Sequence, residues 1–139
     1  MSHKTTTQWK GGMLFESDNP SGKSVLMDTV VNGQTERFGL SPKAMMLSSL
    51  AGCSGVDIVE ILEKMKVTDY KLIIDVTAEL TDEHPKYYNK MKIIYQFKGK
   101  DLPMEKLEKA VKLSEEKYCG VSAVYRKAMD MKTEIRIVE

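Results

Sequence analysis

Two cysteines are the residues of this 139-residue chain best suited to covalent chemistry. Cys53 lies in the segment SSLAGCSGVDIV, among small and apolar residues, and Cys119 lies in SEEKYCGVSAVYRKA, next to a glycine. In a reducing compartment, two such residues are free thiols or a transient redox pair rather than a structural crosslink. If the sulfurs meet, one can act as a nucleophile and the other can resolve the product, but a cysteine on an apolar helix also serves as a small core residue.

A reactive Cys53 requires a positive charge nearby, because only the thiolate is nucleophilic. Cys53 lies about twelve residues inside a predicted helix, whereas the helix dipole acts mainly on the first turn. Arg37, one of three arginines, lies just upstream of that helix and is the natural candidate for the cation. Asp57 and Glu60 follow Cys53 on the same helical face. They either hold Arg37 from the other side or begin the solvated face of the helix.

Composition and the histidines exclude several classes of site and partner. Lys and Arg total 21 against 20 Asp and Glu, with mixed signs, so neither nucleic acid nor a membrane surface is expected as a partner. No apolar run approaches the ~20 residues of a membrane span, and the N-terminal residues lack the apolar core of a secretory signal. A cytoplasmic location is therefore predicted. His3 and His84 have no paired ligand spacing with either cysteine, so no metal and no cofactor are predicted.

The first half of the chain predicts strands followed by one long helix. Thr5, Thr7 and Trp9 alternate, MLFES and SVLMDTVV follow, and Asn32-Gly33 predicts a hairpin turn before QTERF. Ser41-Pro42 predicts the start of a helix that extends to about Lys66. Its first half, residues 44–56, carries no charge and many small residues, so burial on nearly all sides is expected.

The second half predicts two long strands, two helices and a last strand. Apolar residues alternate at 72–80 and at 91–97, and the polar TDEHPKYYNK between them predicts a hairpin loop. A helix is predicted from near Pro103 to Tyr118-Cys119-Gly120, with the glycine as its C-terminal cap, followed by a short helix in VSAVYRKAM and a strand in MKTEIRIVE. The order βββ-α-ββ-α-α-β predicts one α+β domain over residues 1–139, with an antiparallel sheet wrapped on a long central helix.

The two cysteine segments together resemble the motifs of a known family. SPKAMMLSSLAGCSGVDIVEILEKMK and LEKAVKLSEEKYCGVSAVYRKA are similar to the cysteine motifs of the OsmC/Ohr superfamily, most closely its YhfA-like branch. The resemblance covers nearly the whole chain. It implies an intertwined homodimer in which two central helices are enclosed by two sheets. It also implies a thiol peroxidase that reduces organic hydroperoxides, and in some members hydrogen peroxide, as part of the oxidative stress response.

The resemblance assigns roles to three residues and exposes one departure. Cys53 matches the peroxidatic cysteine, Cys119 the resolving cysteine, and Arg37, in TERFG, the active-site arginine. The implied cycle runs through a Cys53 sulfenic acid and a Cys53–Cys119 disulfide, which an external dithiol reduces. Peroxidase members carry a glutamate just after the helix-opening proline that holds this arginine over the sulfur. This chain has Lys43 and Ala44 there, and Lys43, if it points at the site, supplies positive charge instead.

Two functions from different classes follow from these residues. In the first, the chain is a homodimeric thiol peroxidase with Cys53 as nucleophile, Cys119 as resolving thiol and Arg37 as activating cation. In the second, the missing glutamate has ended peroxidase activity, and the dimer binds a small apolar or thiol-bearing ligand with the cysteines lining the pocket. The protonation state of Cys53 separates them, because a nucleophile must ionise near neutral pH and a lining residue stays protonated.

Overall fold

Secondary structure follows the predicted order in the computed structural model, which describes residues 1–31 and 36–138. The strands are β1 Thr7–Trp9, β2 Phe15–Asp18, β3 Ser24–Met27, β4 Lys71–Leu80, β5 Tyr88–Lys98 and β6 Asp130–Val138, and the helices are α1 Met45–Lys64, α2 Met104–Leu113 and α3 Gly120–Ala128, with a π-helical segment, Ser114–Tyr118, between α2 and α3. This mixture confirms the predicted α+β class. The chain divides into two units, Met1–Met46 and Leu47–Glu139, and the prediction of one domain stays a prediction.

The first unit contains an antiparallel sheet in the order β1-β2-β3. The turn between β1 and β2 has Gly11 and Gly12 at φ 102° and 56°, a left-handed conformation that glycine adopts without a steric penalty. The predicted hairpin at Asn32-Gly33 lies outside the described residues. After that interval the chain returns alongside β3, where Leu40 pairs with Met27 in a parallel bridge.

Gly39 allows the returning chain to approach β3 closely. A Cβ atom on Gly39 would lie 2.4 Å from the Leu26 carbonyl oxygen, which is inside the contact distance of real side chains. The Leu40 N–H donates to the same carbonyl at 2.8 Å. The residues just before Gly39 are thereby held beside the end of β3.

The second unit contains the other sheet, in the order β4-β5-β6. Alternate residues of β4 and β5 are at least partly buried, as predicted, and Ile93, Tyr95 and Phe97 are almost fully buried. β4 and β5 are antiparallel, but β5 and β6 are parallel, so the prediction of an antiparallel sheet is wrong for the last strand. The intervening helices make the crossover that a parallel pair requires.

Helix α1 is shorter and less enclosed than predicted. Residues 42–44 form a turn, so the α-helix begins at Met45, and it ends at Lys64, before Lys66 adopts a left-handed φ of 65°. Its buried residues, Leu50, Ser54, Ile58 and Leu62, recur every four positions and form one stripe. Val56 is 68% exposed, so burial of the first half on nearly all sides is wrong for the single chain, in which the second unit's sheet and helices contact one face of α1.

The apolar character of α1 was underestimated from the sequence. This helix is long and apolar enough to cross a membrane by length and composition alone. The prediction that no apolar run reaches that length is therefore wrong. Length and composition also suit a helix with one face packed in a protein core, which is the environment of Leu50, Ile58 and Leu62.

Candidate functional site: a thiol pair on α1 and α3

The second unit brings Cys53 and Cys119 together. Cys53 lies on α1 and is partly exposed, whereas Cys119 lies between the π-helical segment and α3 and is 2% exposed. The two side chains share a hydrogen bond. A disulfide requires Cα atoms within about 7 Å, and contact between the two side chains is the first condition for that bond. One partly exposed and one buried sulfur are thus neighbours in the fold.

The π-helical segment and α3 together position Cys119. The Cys119 N–H donates to the Ser114 carbonyl five residues back, at 2.8 Å, which closes the wider turn of a π-helix. The Cys119 sulfur accepts the Ser122 N–H at 3.3 Å and so caps the N-terminus of α3. The prediction of Gly120 as a C-terminal cap is therefore wrong, because Gly120 is the first residue of α3 and the preceding cysteine makes the cap.

Burial keeps the Cys119 thiol protonated. Loss of solvent around this sulfur is the main cause that raises the pKa of Cys119 to about 11, and the Ser122 N–H opposes the shift. The neighbouring Cys53 and Asp57 raise this pKa further, because each favours the uncharged thiol. Cys119 is therefore a thiol rather than a thiolate at neutral pH, and nucleophilic attack by it requires a proton acceptor.

Asp57 is held beside this pair by a buried serine. The Ser114 hydroxyl donates to Asp57 Oδ2 at 3.2 Å and contacts the Ser54 carbonyl oxygen at 3.4 Å. Ser54 in turn donates to the Leu50 carbonyl at 2.8 Å and hydrogen-bonds with the buried Tyr95 side chain. Desolvation raises the pKa of Tyr95, so its phenol is neutral in this layer. These contacts tie α1, β5 and the π-helical segment together next to the two thiols.

Arg37 has a carboxylate partner within the first unit that sequence reasoning missed. Arg37 Nη2 donates to the Asp28 carbonyl oxygen at 2.8 Å, and Nε lies 3.4 Å from Asp28 Oδ1. The Phe38 N–H donates to Asp28 Oδ2 at 2.7 Å, and this hydrogen bond is the main cause that lowers the pKa of Asp28. The signal for Asp28 in the sequence is one charged residue in the otherwise apolar and hydroxylic run VLMDTVV.

The remaining predicted site residues have simpler surroundings. Glu60 is exposed and pairs with Lys64 at 3.3 Å across one helical turn, which fits the solvated-face alternative. Lys43 is exposed in the turn before α1. Arg37 and Lys43 belong to the first unit, whereas both thiols, Asp57 and Glu60 belong to the second. Activation of Cys53 by Arg37 stays a prediction. Within residues 1–31 and 36–138, no group of three or more His, Cys, Asp or Glu side chains could hold a metal ion.

The second unit also contains a cleft that has Asp57 in its wall. Its volume is about 410 Å³, and it is lined by acidic, basic and mostly apolar side chains of α1, the residue after α1, α2 and the π-helical segment: Asp57, Glu60, Ile61, Lys64, Met65, Leu113 and Tyr118. Tyr118 directly precedes Cys119, and the charge of Asp57 acts on the Cys119 thiol. We refer to it as the Asp57 cleft.

Nearly the whole chain is similar to proteins of one known family. The family model described as OsmC-like protein matches residues 33–134. Protein YhfA of Escherichia coli strain K12 is 30% identical over 131 residues, which cover 94% of this chain and 95% of YhfA. A hypothetical protein from Aquifex aeolicus VF5 has a crystal structure with a TM-score of 0.85 and 28% identity, covering 99% of this chain and 97% of that one.

A more distant likeness concerns the fold. The organic hydroperoxide resistance protein OhrB of Bacillus subtilis has a TM-score of 0.62 and 21% identity, with 98% of each chain covered. The family model spans both cysteine motifs, and YhfA aligns along nearly the whole chain, which confirms the resemblance of those motifs. The chain belongs to the OsmC family.

Proposed function

We propose that this protein is a thiol-dependent peroxidase that reduces organic hydroperoxides in oxidative stress defence. The observation that carries the proposal is the hydrogen-bonded pair of thiols, one partly exposed and one buried, from positions far apart in the chain. A merely structural cysteine needs no second thiol beside it. The fold shared with a protein named for organic hydroperoxide resistance supports the same class of substrate.

The proposed cycle uses the two sulfurs and one external reductant. The Cys53 thiolate attacks the terminal peroxide oxygen, the O–O bond breaks, and an alcohol leaves after gaining a proton, so that Cys53 becomes a sulfenic acid. The Cys119 sulfur then attacks the Cys53 sulfur, forming the disulfide and releasing water. An external dithiol then reduces this disulfide, which returns both cysteines to thiols and converts the dithiol to a disulfide.

Arg37 is proposed as the cation that stabilises the Cys53 thiolate. Its support is the fixed orientation of the guanidinium, which Asp28 holds through both a carboxylate and a backbone oxygen. We propose that Asp28 replaces the glutamate that peroxidase relatives carry after the helix-opening proline. The expected result of Asp28→Asn is slower reaction of Cys53 with peroxide, while Glu36→Gln, an exposed carboxylate next to Arg37, serves as the matched control.

A homodimer is proposed from the exposed face of α1. Ser49, Gly52, Val56 and Val59 are exposed and spaced at three and four residues, so they share one uncharged face. Small residues on such a face let a second helix approach closely. We propose that a second copy of this chain covers it, in a cytoplasmic protein with no nucleic acid and no membrane partner.

The mass of the protein before and after peroxide treatment tests the proposal. Reduced protein mixed with cumene hydroperoxide is expected to lose two hydrogens per chain, and Cys53→Ser is expected to lose none. Cys119→Ser is expected to form a sulfenic acid that a cyclic diketone traps. An unchanged mass at millimolar peroxide would contradict the peroxidase and leave the ligand-binding function as the better account.

A further inference from the structure

Asp57 is an ionisable residue near the two thiols that has no role in the peroxidase cycle described above. It lies one helical turn after Cys53, and residues at this spacing have Cβ atoms about 5–6 Å apart. It is also close enough to Cys119 for its charge to act on that thiol. The Ser114 hydroxyl, itself fully buried, donates to Asp57 Oδ2 at 3.2 Å and fixes the direction of the carboxylate.

Disulfide formation requires the transfer of one proton. The Cys119 thiol must lose a proton as its sulfur bonds to Cys53, and the hydroxyl group that leaves the Cys53 sulfenic acid must gain one to depart as water. Only a very small fraction of a thiol with a pKa of about 11 is ionised at neutral pH. A base positioned to accept the proton during the attack removes the need for a preformed thiolate, so the small ionised fraction no longer limits the rate.

Resting on the proposed peroxidase function, we propose that the Asp57 carboxylate accepts the proton of Cys119 during disulfide formation and returns it to the oxygen leaving Cys53. The S–H and S–O bonds break, the S–S bond forms, and the proton ends on water, so Asp57 is unchanged after the step. No further oxidant or reductant is needed, because the sulfenic acid supplies the oxidation. Ser114 acts as a positioning residue that holds the Asp57 carboxylate through Oδ2.

The neighbouring carboxylate Glu60 does not serve as well. Glu60 is exposed and paired with Lys64, and it lies almost two helical turns from Cys53. Asp57 is half-buried, lies one helical turn from Cys53, acts electrostatically on Cys119 and receives its hydrogen bond from a buried donor. Other ionisable and polar groups near the pair or along the adjoining cleft come from each packed element: Glu60 and Lys64 on α1, Tyr95 on β5, Ser114, Glu115 and Tyr118 on the π-helical segment, and Tyr125 on α3.

Rapid mixing with cumene hydroperoxide tests the inference by following the Cys53 sulfenic acid and its conversion to the disulfide separately. Asp57→Asn keeps an oxygen for the Ser114 hydroxyl but removes the base. Its sulfenic acid is expected to form at the wild-type rate or faster and to resolve about 100-fold more slowly at pH 7. Resolution in this variant should accelerate about tenfold per pH unit, as the Cys119 thiolate is populated, whereas the wild-type rate should be flat over the same pH range.

Three further variants separate a proton acceptor from a merely structural residue. Glu60→Gln, the matched control, is expected to resolve at the wild-type rate. Asp57→Glu should recover part of the lost rate, and Ser114→Ala should cause a smaller loss without changing the pH profile. A wild-type rate in Asp57→Asn, a slower rate with the wild-type pH profile, or an equal loss in Glu60→Gln would overturn the inference.

The outcome of Cys119→Ser distinguishes this inference from the proposed function. If peroxide gives no trapped sulfenic acid in that variant, the peroxidase proposal fails and this inference fails with it. If the sulfenic acid forms there but Asp57→Asn resolves normally, the inference alone is overturned. A sulfenic acid that persists in Asp57→Asn and resolves faster with rising pH supports both.

Discussion

Oxidation of the thiol pair is expected to raise the free energy of unfolding by about 4 kcal/mol. The segment from Cys53 to Cys119 is about 65 residues long, and closing a loop of that length in the unfolded chain gives about 4 kcal/mol from lost chain entropy at 25 °C. Because the two side chains already share a hydrogen bond when reduced, bond formation requires little movement and adds little strain. The whole of this stabilisation should therefore appear in the measured free energy of unfolding.

Urea unfolding of reduced and peroxide-oxidised protein measures this gain. Both forms are unfolded at one protein concentration, since a dimer would otherwise shift the midpoint. The free energies are obtained by linear extrapolation, and the oxidised form should also show a smaller denaturant slope because its crosslinked unfolded chain exposes less surface. Cys119→Ser, treated with the same peroxide, is the control and should show no comparable gain.

Two results would refute the reasoning. Protein shown by mass to have lost two hydrogens per chain, yet no more stable than the reduced form, would mean that the disulfide strains the fold by as much as it restricts the unfolded chain. A similar increase in the free energy of unfolding after peroxide treatment of Cys119→Ser would mean that the Cys53–Cys119 disulfide does not cause the stabilisation.

Three other perturbations test the core, the buried thiol and the exposed helix face. Leu62→Ala removes a fully buried side chain of α1 and is expected to cost about 2–5 kcal/mol in urea unfolding, whereas truncation of exposed Val59 should cost far less. Because burial raises the pKa of Cys119 to about 11 from an ordinary 9.0, the folded chain holds this proton longer than the unfolded chain. The contribution of the protonated Cys119 thiol to the free energy of unfolding is therefore complete below pH 9 and is lost as pH rises towards 11. Urea unfolding across that pH range, compared with Cys119→Ser, measures this loss. Val56→Asp puts a charge on the exposed face of α1 and is expected to convert a dimer to monomer in light scattering, and an unchanged mass would contradict the proposed interface.

The strand pattern of the second unit could be predicted because one face of its sheet is buried. Side chains at 91, 93, 95 and 97 alternate into the core, and a period of two marks such a strand directly. The direction of β6 could not be predicted, because alternation is the same in parallel and antiparallel strands. The first unit has shorter strands, and their residues are exposed or half-buried. Their apolar alternation is therefore weaker and predicts the first and last residue of each strand less well.

The two cysteines could be recognised from the sequence, but their contact could not be derived from it. Their approach depends on where the π-helical segment ends, and a five-residue hydrogen-bond turn has no clear sequence pattern. A glycine after a helical run usually ends the helix, which predicts a cap at Gly120, whereas here the sulfur of Cys119 caps the start of another helix. Asp28 was overlooked because its partners, Arg37 and Phe38, come from a later segment.

The π-helical segment makes the spacing of this region intolerant of deletion. A turn closed between Ser114 and Cys119 contains one residue more than an α-helical turn. Removing any one residue from 114–118 would let the helix continue regularly, but each residue of an α-helix turns the chain by about 100°. Cys119, which directly follows this segment, is therefore expected to rotate away from Cys53 after such a deletion, whereas conservative substitutions of the same length leave its position unchanged.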